Sequence, residues 1–153
     1  MQMIEFPVSD IVSETAASFQ SVAQTQEKTI SCRIQSMVSF TGNEKAIRQL
    51  VSILLDNAIK YSPKGGSISV VLEKQKKALV LSVYNSTDYF IPKEKLSLLF
   101  ERFYRLDPSR SSQSGGYGIG LSVAKAIVAA HNGKIRAKTQ DGYSLEITVS
   151  LPA

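Results

Sequence analysis

Histidine and cysteine are almost missing from this chain: 153 residues contain one of each, His131 and Cys32. A lone cysteine excludes a disulfide framework and any cysteine-based zinc site, and it fits a reducing compartment. One histidine and one cysteine leave little for metal ligation or for a Ser-His-Asp type of nucleophilic site. Long apolar runs are missing too. None approaches the roughly 18 residues needed to span a bilayer, and residues 1–7 lack the basic-then-apolar form of a signal peptide, so a soluble chain is expected. The sequence has no internal repeat and no low-complexity tract.

What is present is ordinary for a folded domain. Hydrophobic residues make up 43% and charged residues 20% of the chain, which argues against disorder, and the length suits one domain covering 1–153 with one core. Eighteen Lys plus Arg against 13 Asp plus Glu give a net charge of +5, a balance suited to anionic partners. The basic residues are scattered, and the tightest run, Lys74, Lys76 and Lys77, reads as a solvated turn. Without an aromatic-basic stripe or a DNA-reading motif, a nucleic-acid partner is not expected.

Periodicity organises the chain. Over 9–28 the apolar residues Val12, Ala16, Phe19 and Ala23 recur at helical steps, with Ser9 as a candidate cap and Asp10 and Glu14 in the first turn. Residues 30–38 alternate loosely and read as a strand ended by Thr41, Gly42 and Asn43. Asn43 is a good N-cap for a second helix with the stripe Ile47, Leu50, Val51, Leu54 and Ala58, stopped at 62–66 by Pro and Gly. Residues 67–72 and 78–84 read as an antiparallel hairpin, and a short helix is predicted over 93–103. Residues 107–116, rich in Ser, Gly and Arg, read as a mobile loop. Helical spacing returns over 120–131 and closes at Asn132 and Gly133. A last strand pair, 134–139 and 145–151, turns at Asp141 and Gly142. Helices with mainly antiparallel strands in this mixture predict an α+β two-layer sandwich, helices on one face of the sheet.

Three segments carry candidate chemistry. Residues 114–121, SGGYGIGL, open into a helix; glycines at 116, 118 and 120 permit positive φ and close approach to a ligand, and a helix N-terminus favours anions. A phosphate chain fits there, and so does a plain flexible turn. The segment is not a P-loop, since no Lys-Ser/Thr follows, nor a dinucleotide fingerprint, since no parallel βαβ unit surrounds it. At the end of the second helix, Asn57, Lys60 and Tyr61 share one face. An Asn carbonyl suits Mg²⁺, Lys supplies charge to phosphate, and Tyr packs on a sugar or base; the bland alternative is a helix end with a snorkelling Lys. In 99–110, LFERFYRLDPSR, aromatics alternate with Arg102, Arg105 and Arg110, a phosphate clamp or two Phe anchors with solvated Arg.

Together and in this order, these segments resemble the catalytic, ATP-binding domain of bacterial sensor histidine kinases, within the superfamily that includes DNA gyrase B, Hsp90 and MutL-type ATPases. LLDNAIKYSP (54–63) resembles the N box, LFERFYRLDPSR (99–110) the F box, and GYGIGLSVAKAI (116–127) the G2 box. AHNGKI (130–135) and the closing Leu151-Pro152 are also similar. The resemblance implies a Bergerat-type fold with ATP between the helices and a flexible lid over about 104–118. It implies Asn57 as the Mg²⁺ ligand, Lys60 as a phosphate contact and Tyr61 as a wall of the nucleotide site. Arg102 and Arg105 then approach phosphates from the lid side, with Asn57 and Lys60 completing the catalytic set. Asn85, Asp88, Ile91, Gly116, Gly118, Gly120 and Leu121 complete the nucleotide contacts. The implied partners are a histidine on a separate dimerising helical hairpin and, beyond it, a response regulator. That hairpin is not in this sequence, so the chain is expected to be a cytoplasmic catalytic fragment that does not phosphorylate itself, from a parent anchored in the membrane. The fragment itself is expected to make no membrane contact. His131, beside Asn-Gly, reads as a capping or core residue rather than an acceptor.

Two departures from the pattern stand out. Gyrase- and Hsp90-like relatives place a water-activating glutamate one turn before the asparagine; here that position is Ile53, and Asp56 lies about 100° away around the helix. Ile53 also stands where the N box often carries a further asparagine. The G1 box normally sets Asp or Asn close to glycines and then Ile-Pro. Here the segment is VYNSTDYFIP (83–92): Asn85 aligns with the adenine-binding position, Asp88 is the other candidate, Thr87 replaces a glycine, and one residue is inserted before Ile91. Either this loop bulges outward and Asn85 still serves, or Tyr89 and Phe90 narrow the pocket and leave a degenerate docking or regulatory module.

Overall fold

The computed structural model describes residues 2–102, 104 and 120–153. In chain order the elements are β1 (Ile4–Phe6), α1 (Val8–Thr25), β2 (Thr29–Ile34), β3 (Phe40–Gly42), α2 (Glu44–Tyr61), β4 (Ser67–Gln75), β5 (Ala78–Ser86), a 3₁₀ segment (Lys93–Phe100), α3 (Gly120–Ala130), β6 (Lys134–Lys138) and β7 (Ser144–Pro152). The expected α+β sandwich forms. Five strands make a mixed sheet in the order β2-β4-β5-β7-β6, with β2 parallel to β4 and every other pair antiparallel.

Side-chain alternation decides which face of the sheet is covered. Along β5, Leu79, Leu81, Val83 and Asn85 are buried while their neighbours are partly exposed. In register beside them, Leu72, Val70 and Ile68 of β4 and Leu151, Val149, Ile147 and Leu145 of β7 are buried as well. Against this face packs the α2 stripe Ile47, Leu50, Val51, Leu54, Leu55 and Ala58. Each fully buried Leu or Ile contributes roughly 1.5–3 kcal/mol relative to exposure. Helix α2 therefore sits rigidly on the sheet, and its C-terminal turn projects along one end of it.

The helix ends follow local chemistry. The Asn43 side-chain oxygen accepts the Ala46 amide at 2.8 Å, satisfying an N3 donor. At the end of α3, Asn132 takes φ 60°, and the Gly133 amide donates to Val128 O at 2.9 Å, closing the helix in the Schellman manner. His131 lies between these two ends. Its Nδ1–H donates to Ile127 O at 2.8 Å and its Nε2 accepts the Asn43 amide at 3.0 Å, with the Phe40 ring 6.0 Å away. The buried imidazole is thus a structural tie between the C-terminus of α3 and the cap of α2, as its expected core role implies.

Several boundaries differ from expectation. Ser9 is not the cap of α1: Pro7 takes that place without a side-chain bond. Ser9 Oγ instead donates to Gln35 O at 2.7 Å and accepts the Val38 amide at 2.8 Å. Strand β2 ends at Ile34, because residues beyond it turn at Met37, φ 59°. Residues 40–42, read as a strand-ending turn, pair with β1 as a second, two-stranded sheet. The predicted helix over 93–103 is a 3₁₀ segment that ends at Phe100 and buries only Leu99. The predicted loop over 107–116 lies outside the described residues.

Candidate functional site

The last two turns of α2 supply one wall. Asn57 and Tyr61 are buried, Lys60 is half-buried, and Asp56 is exposed, so the helix turns Asn57 and Tyr61 to one side and Asp56 away. The Asn57 carboxamide makes no hydrogen bond among the described residues. Its amide atoms keep contact with solvent rather than being sealed in the core, so the group is open to a ligand from that side. Its oxygen is a hard donor of the kind Mg²⁺ takes, with water and phosphate oxygens completing the shell. No group of three or more His, Cys, Asp or Glu able to hold a metal exists among the described residues, so a cation would depend on Asn57 and on its ligand's own oxygens. Lys60 Nζ pairs with Asp56 at 3.3 Å. An i,i+4 surface pair contributes only about 0.3–0.5 kcal/mol, so the ammonium can transfer to a stronger anion at little cost.

Ile53, one turn before Asn57, packs on the core. A Cβ placed on Gly120 would lie 3.6 Å from Ile53 Cγ2, so the start of α3 faces this turn of α2. Gly120 does not take a positive φ; it is the first residue of α3, where helical spacing was expected to begin, and does not use the freedom a glycine allows. Leu121 is buried beneath it. Arg102 is exposed and borders a shallow groove with Val123, Ala126, Ile127 and Ala130 of α3. Arg105, Gly116 and Gly118, and the expected lid apart from Tyr104, lie outside the described residues.

The opposite wall is the end of β5 and the segment after it. Asn85 is 1% exposed, in register with Ile68 of β4 and Leu145 of β7. Its Nδ2 donates to Ser86 O at 3.0 Å, which leaves Oδ1 without a partner among the described residues. An amide oxygen there can accept from an exocyclic amino group. Asp88 is exposed and Ile91 fully buried. Thr87 N–H donates to Tyr143 O at 2.9 Å and Ile91 N–H to Gly142 O at 2.7 Å, so residues 88–90 form a short excursion between two consecutive acceptors, with Asp88 and Phe90 exposed and Tyr89 half-buried against the core. Phe90 is 60% exposed and seats on the β6–β7 turn instead. Of the two outcomes open for this loop, Phe90 follows the outward one, while Tyr89 packs inward on the core. The sequence reading missed the part of that turn in holding Asn85; its trace was the Asp141-Gly142 pair, legible only as a hairpin.

Cys32 lies on β2, away from both walls, and partial burial pushes its thiol pKa up, which keeps it protonated and unreactive near neutrality.

Comparison with known proteins decides the family. Residues 42–153 match the family described as histidine kinase-, DNA gyrase B- and HSP90-like ATPase. The chain belongs to that family. Among its relatives, the sensor protein DltS of Streptococcus agalactiae is 36% identical over 145 residues, 95% of this chain and 36% of that protein. The sensor histidine kinase WalK of Bacillus subtilis is 38% identical over 112 residues, 72% of this chain and 18% of that protein. The chain thus spans about a third or less of the length of these relatives. Among solved structures, the catalytic domain of histidine kinase ThkA superposes with a TM-score of 0.83 at 22% identity, covering 99% of this chain and 96% of that one. The Bergerat-type α+β architecture expected from the three boxes is confirmed, and with it an ATP-binding domain of the kind sensor histidine kinases carry. Among the described residues, no helix is long and apolar enough to cross a membrane.

Proposed function

We propose that this chain, as one domain over 1–153, is the catalytic domain of a sensor histidine kinase. It binds Mg²⁺-ATP and delivers the γ-phosphoryl group to a histidine on a separate dimerising hairpin, from which a response-regulator aspartate receives it. The observation that carries this reading is the last turns of α2: an Asn57 carboxamide that makes no hydrogen bond among the described residues, with hydrocarbon, Ile53, one turn before it. Hydrolysis needs a base beside the phosphate to activate water, and Ile53 provides none. Transfer to a positioned acceptor needs no such base, only alignment and charge stabilisation.

Each residue then has a role. Asn57 Oδ1 holds the cation, which when bound neutralises charge on the phosphate oxygens. Lys60 leaves Asp56 for a phosphate, and Tyr61 packs beside the nucleotide. Asn85 Oδ1 accepts from the adenine amino group, while Ile91 and Leu121 close on the base and chain from either side. The N-terminus of α3 at Gly120, with Gly116 and Gly118 before it, serves the phosphates, and Arg102 and Arg105 approach them from the side of a lid over about 104–118. A nitrogen of the acceptor imidazole attacks the γ-phosphorus, forming a P–N bond as the bond to the ADP oxygen breaks, and ADP leaves with the electron pair. On this reading the domain works in the cytoplasm and the parent protein is anchored in the membrane.

Incubating the chain with γ-labelled ATP and Mg²⁺, alone and with a dimerising hairpin domain added, tests the proposal. Alone, the chain should neither label itself nor release phosphate above background, and with the hairpin it should yield acid-labile label on histidine. Multiple turnovers of phosphate release by the chain alone would place it with the hydrolytic relatives instead.

A further inference from the structure

The segment after β5 carries an aromatic that the nucleotide-binding reading leaves unused. Phe90 is exposed, yet its position is closely determined. A Cβ built on Gly142 would fall 2.5 Å from Phe90 Cδ1 and closer still to Cε1, so the ring lies directly on the backbone of that glycine. Gly142 has φ +91°, a conformation L side chains rarely adopt, and it therefore presents bare backbone to the ring. On the other side Tyr143 meets the same ring edge-on, centroids 5.8 Å apart at 67°. The turn beneath is itself braced: the Gly142 amide donates to Thr139 Oγ1 and the Tyr143 amide to Asp141 Oδ1, both at 2.9 Å.

These contacts bracket one short excursion. Thr87 N–H and Ile91 N–H reach Tyr143 O and Gly142 O, and Thr87 Oγ1 donates to Tyr89 O at 2.9 Å, closing the base of the loop. The β5–β7 ladder runs directly into this arrangement through Asn85, paired with Leu145, and Ser86, paired with Ser144. The Thr87–Tyr143 bond extends the ladder just past Ser86, whose carbonyl accepts the Asn85 Nδ2–H at 3.0 Å, so the contact that orients the Asn85 carboxamide lies next to the segment Phe90 anchors.

We propose that Phe90 is a positioning residue for the base: its ring, latched on Gly142, anchors the segment after β5 on the β6–β7 turn and keeps the Asn85 carboxamide oxygen aimed at the exocyclic amino group of adenine. The claim rests on the nucleotide-binding reading above. It gives the one inserted residue a purpose. A segment lacking the usual glycines gains from an external contact the fixed geometry that it cannot make within itself. A ring held against backbone serves this end without occupying the pocket.

Two measurements on the whole chain test it together. The first is amide hydrogen exchange without nucleotide. Thr87 and Ile91 should be protected, and Phe90→Ala should speed exchange at both while leaving α2 amides unchanged. The second is calorimetry with Mg²⁺ and either ATP or inosine triphosphate, which carries a carbonyl in place of the amino group. One neutral hydrogen bond corresponds to roughly a 3- to 10-fold change in affinity. Phe90→Ala should lose about that factor for ATP and leave the inosine nucleotide within about twofold, while Phe90→Tyr, which keeps the ring, should restore ATP binding. Equal losses for both nucleotides, or ATP affinity unchanged despite faster exchange, would overturn the role of Phe90 and leave the nucleotide reading intact. Binding of neither nucleotide by the unsubstituted chain would overturn both.

Discussion

The two walls of the site hold their asparagines by different means. Asn57 stands on a helix whose position is set by a buried stripe and a capped start, so its placement follows from the hydrophobic core. Asn85 stands at the end of a strand, and the segment after it is held by two main-chain bonds and one exposed ring on a turn that comes later in the chain. The first wall is rigid because dislodging it means breaking the core. The second is held by contacts worth about a kilocalorie each, and it can yield locally while the domain stays folded. On the proposed function, this puts the adjustable part on the base side and the fixed part on the phosphate side.

Substitutions that separate the walls sharpen this contrast. Leu54→Ala removes a fully buried side chain from beneath α2 and should cost about 2–5 kcal/mol of stability, read as a lower midpoint in denaturant with an unchanged slope. Both walls should fail together in that variant. Gly142→Ala should cost less, about 1–3 kcal/mol, since it forces a side chain into positive φ and against a ring, and its effect on exchange should be confined to residues near Thr87 and Ile91. If Gly142→Ala also loosened the α2 amides, the two walls would not be independent. Phe90→Ala should barely change global stability, within about 0.5 kcal/mol for an exposed position, and act on the base side alone.

How far the sequence could be read tracks the same division. α2 was legible down to Asn43 as its cap, because 3.6-residue spacing and capping chemistry are local signals. The β4–β5 hairpin was legible through its alternation and charged turn, and the structural role of His131 through its place beside Asn132-Gly133. Long-range pairings were not legible. Residues 4–6 and 40–42 are too short to show a period, and only their mutual pairing makes them strands. Ser9 has the chemistry of a cap, but tertiary contact with Gln35 and Val38 claimed its hydroxyl. The fate of the inserted residue depended on Gly142, far along the chain, and no local pattern near Asn85 could announce it.

The account turns on Asn57 as the residue that joins cation and nucleotide to the fold. Calorimetric titration of ATP with Mg²⁺ and with chelator, in the unsubstituted chain and in Asn57→Ala, tests this most directly. The unsubstituted chain should bind ATP more tightly with Mg²⁺ than without. In Asn57→Ala that difference should vanish while the unfolding midpoint holds, because the amide makes no hydrogen bond among the described residues. A variant that keeps the full Mg²⁺ dependence would contradict the assignment of Asn57.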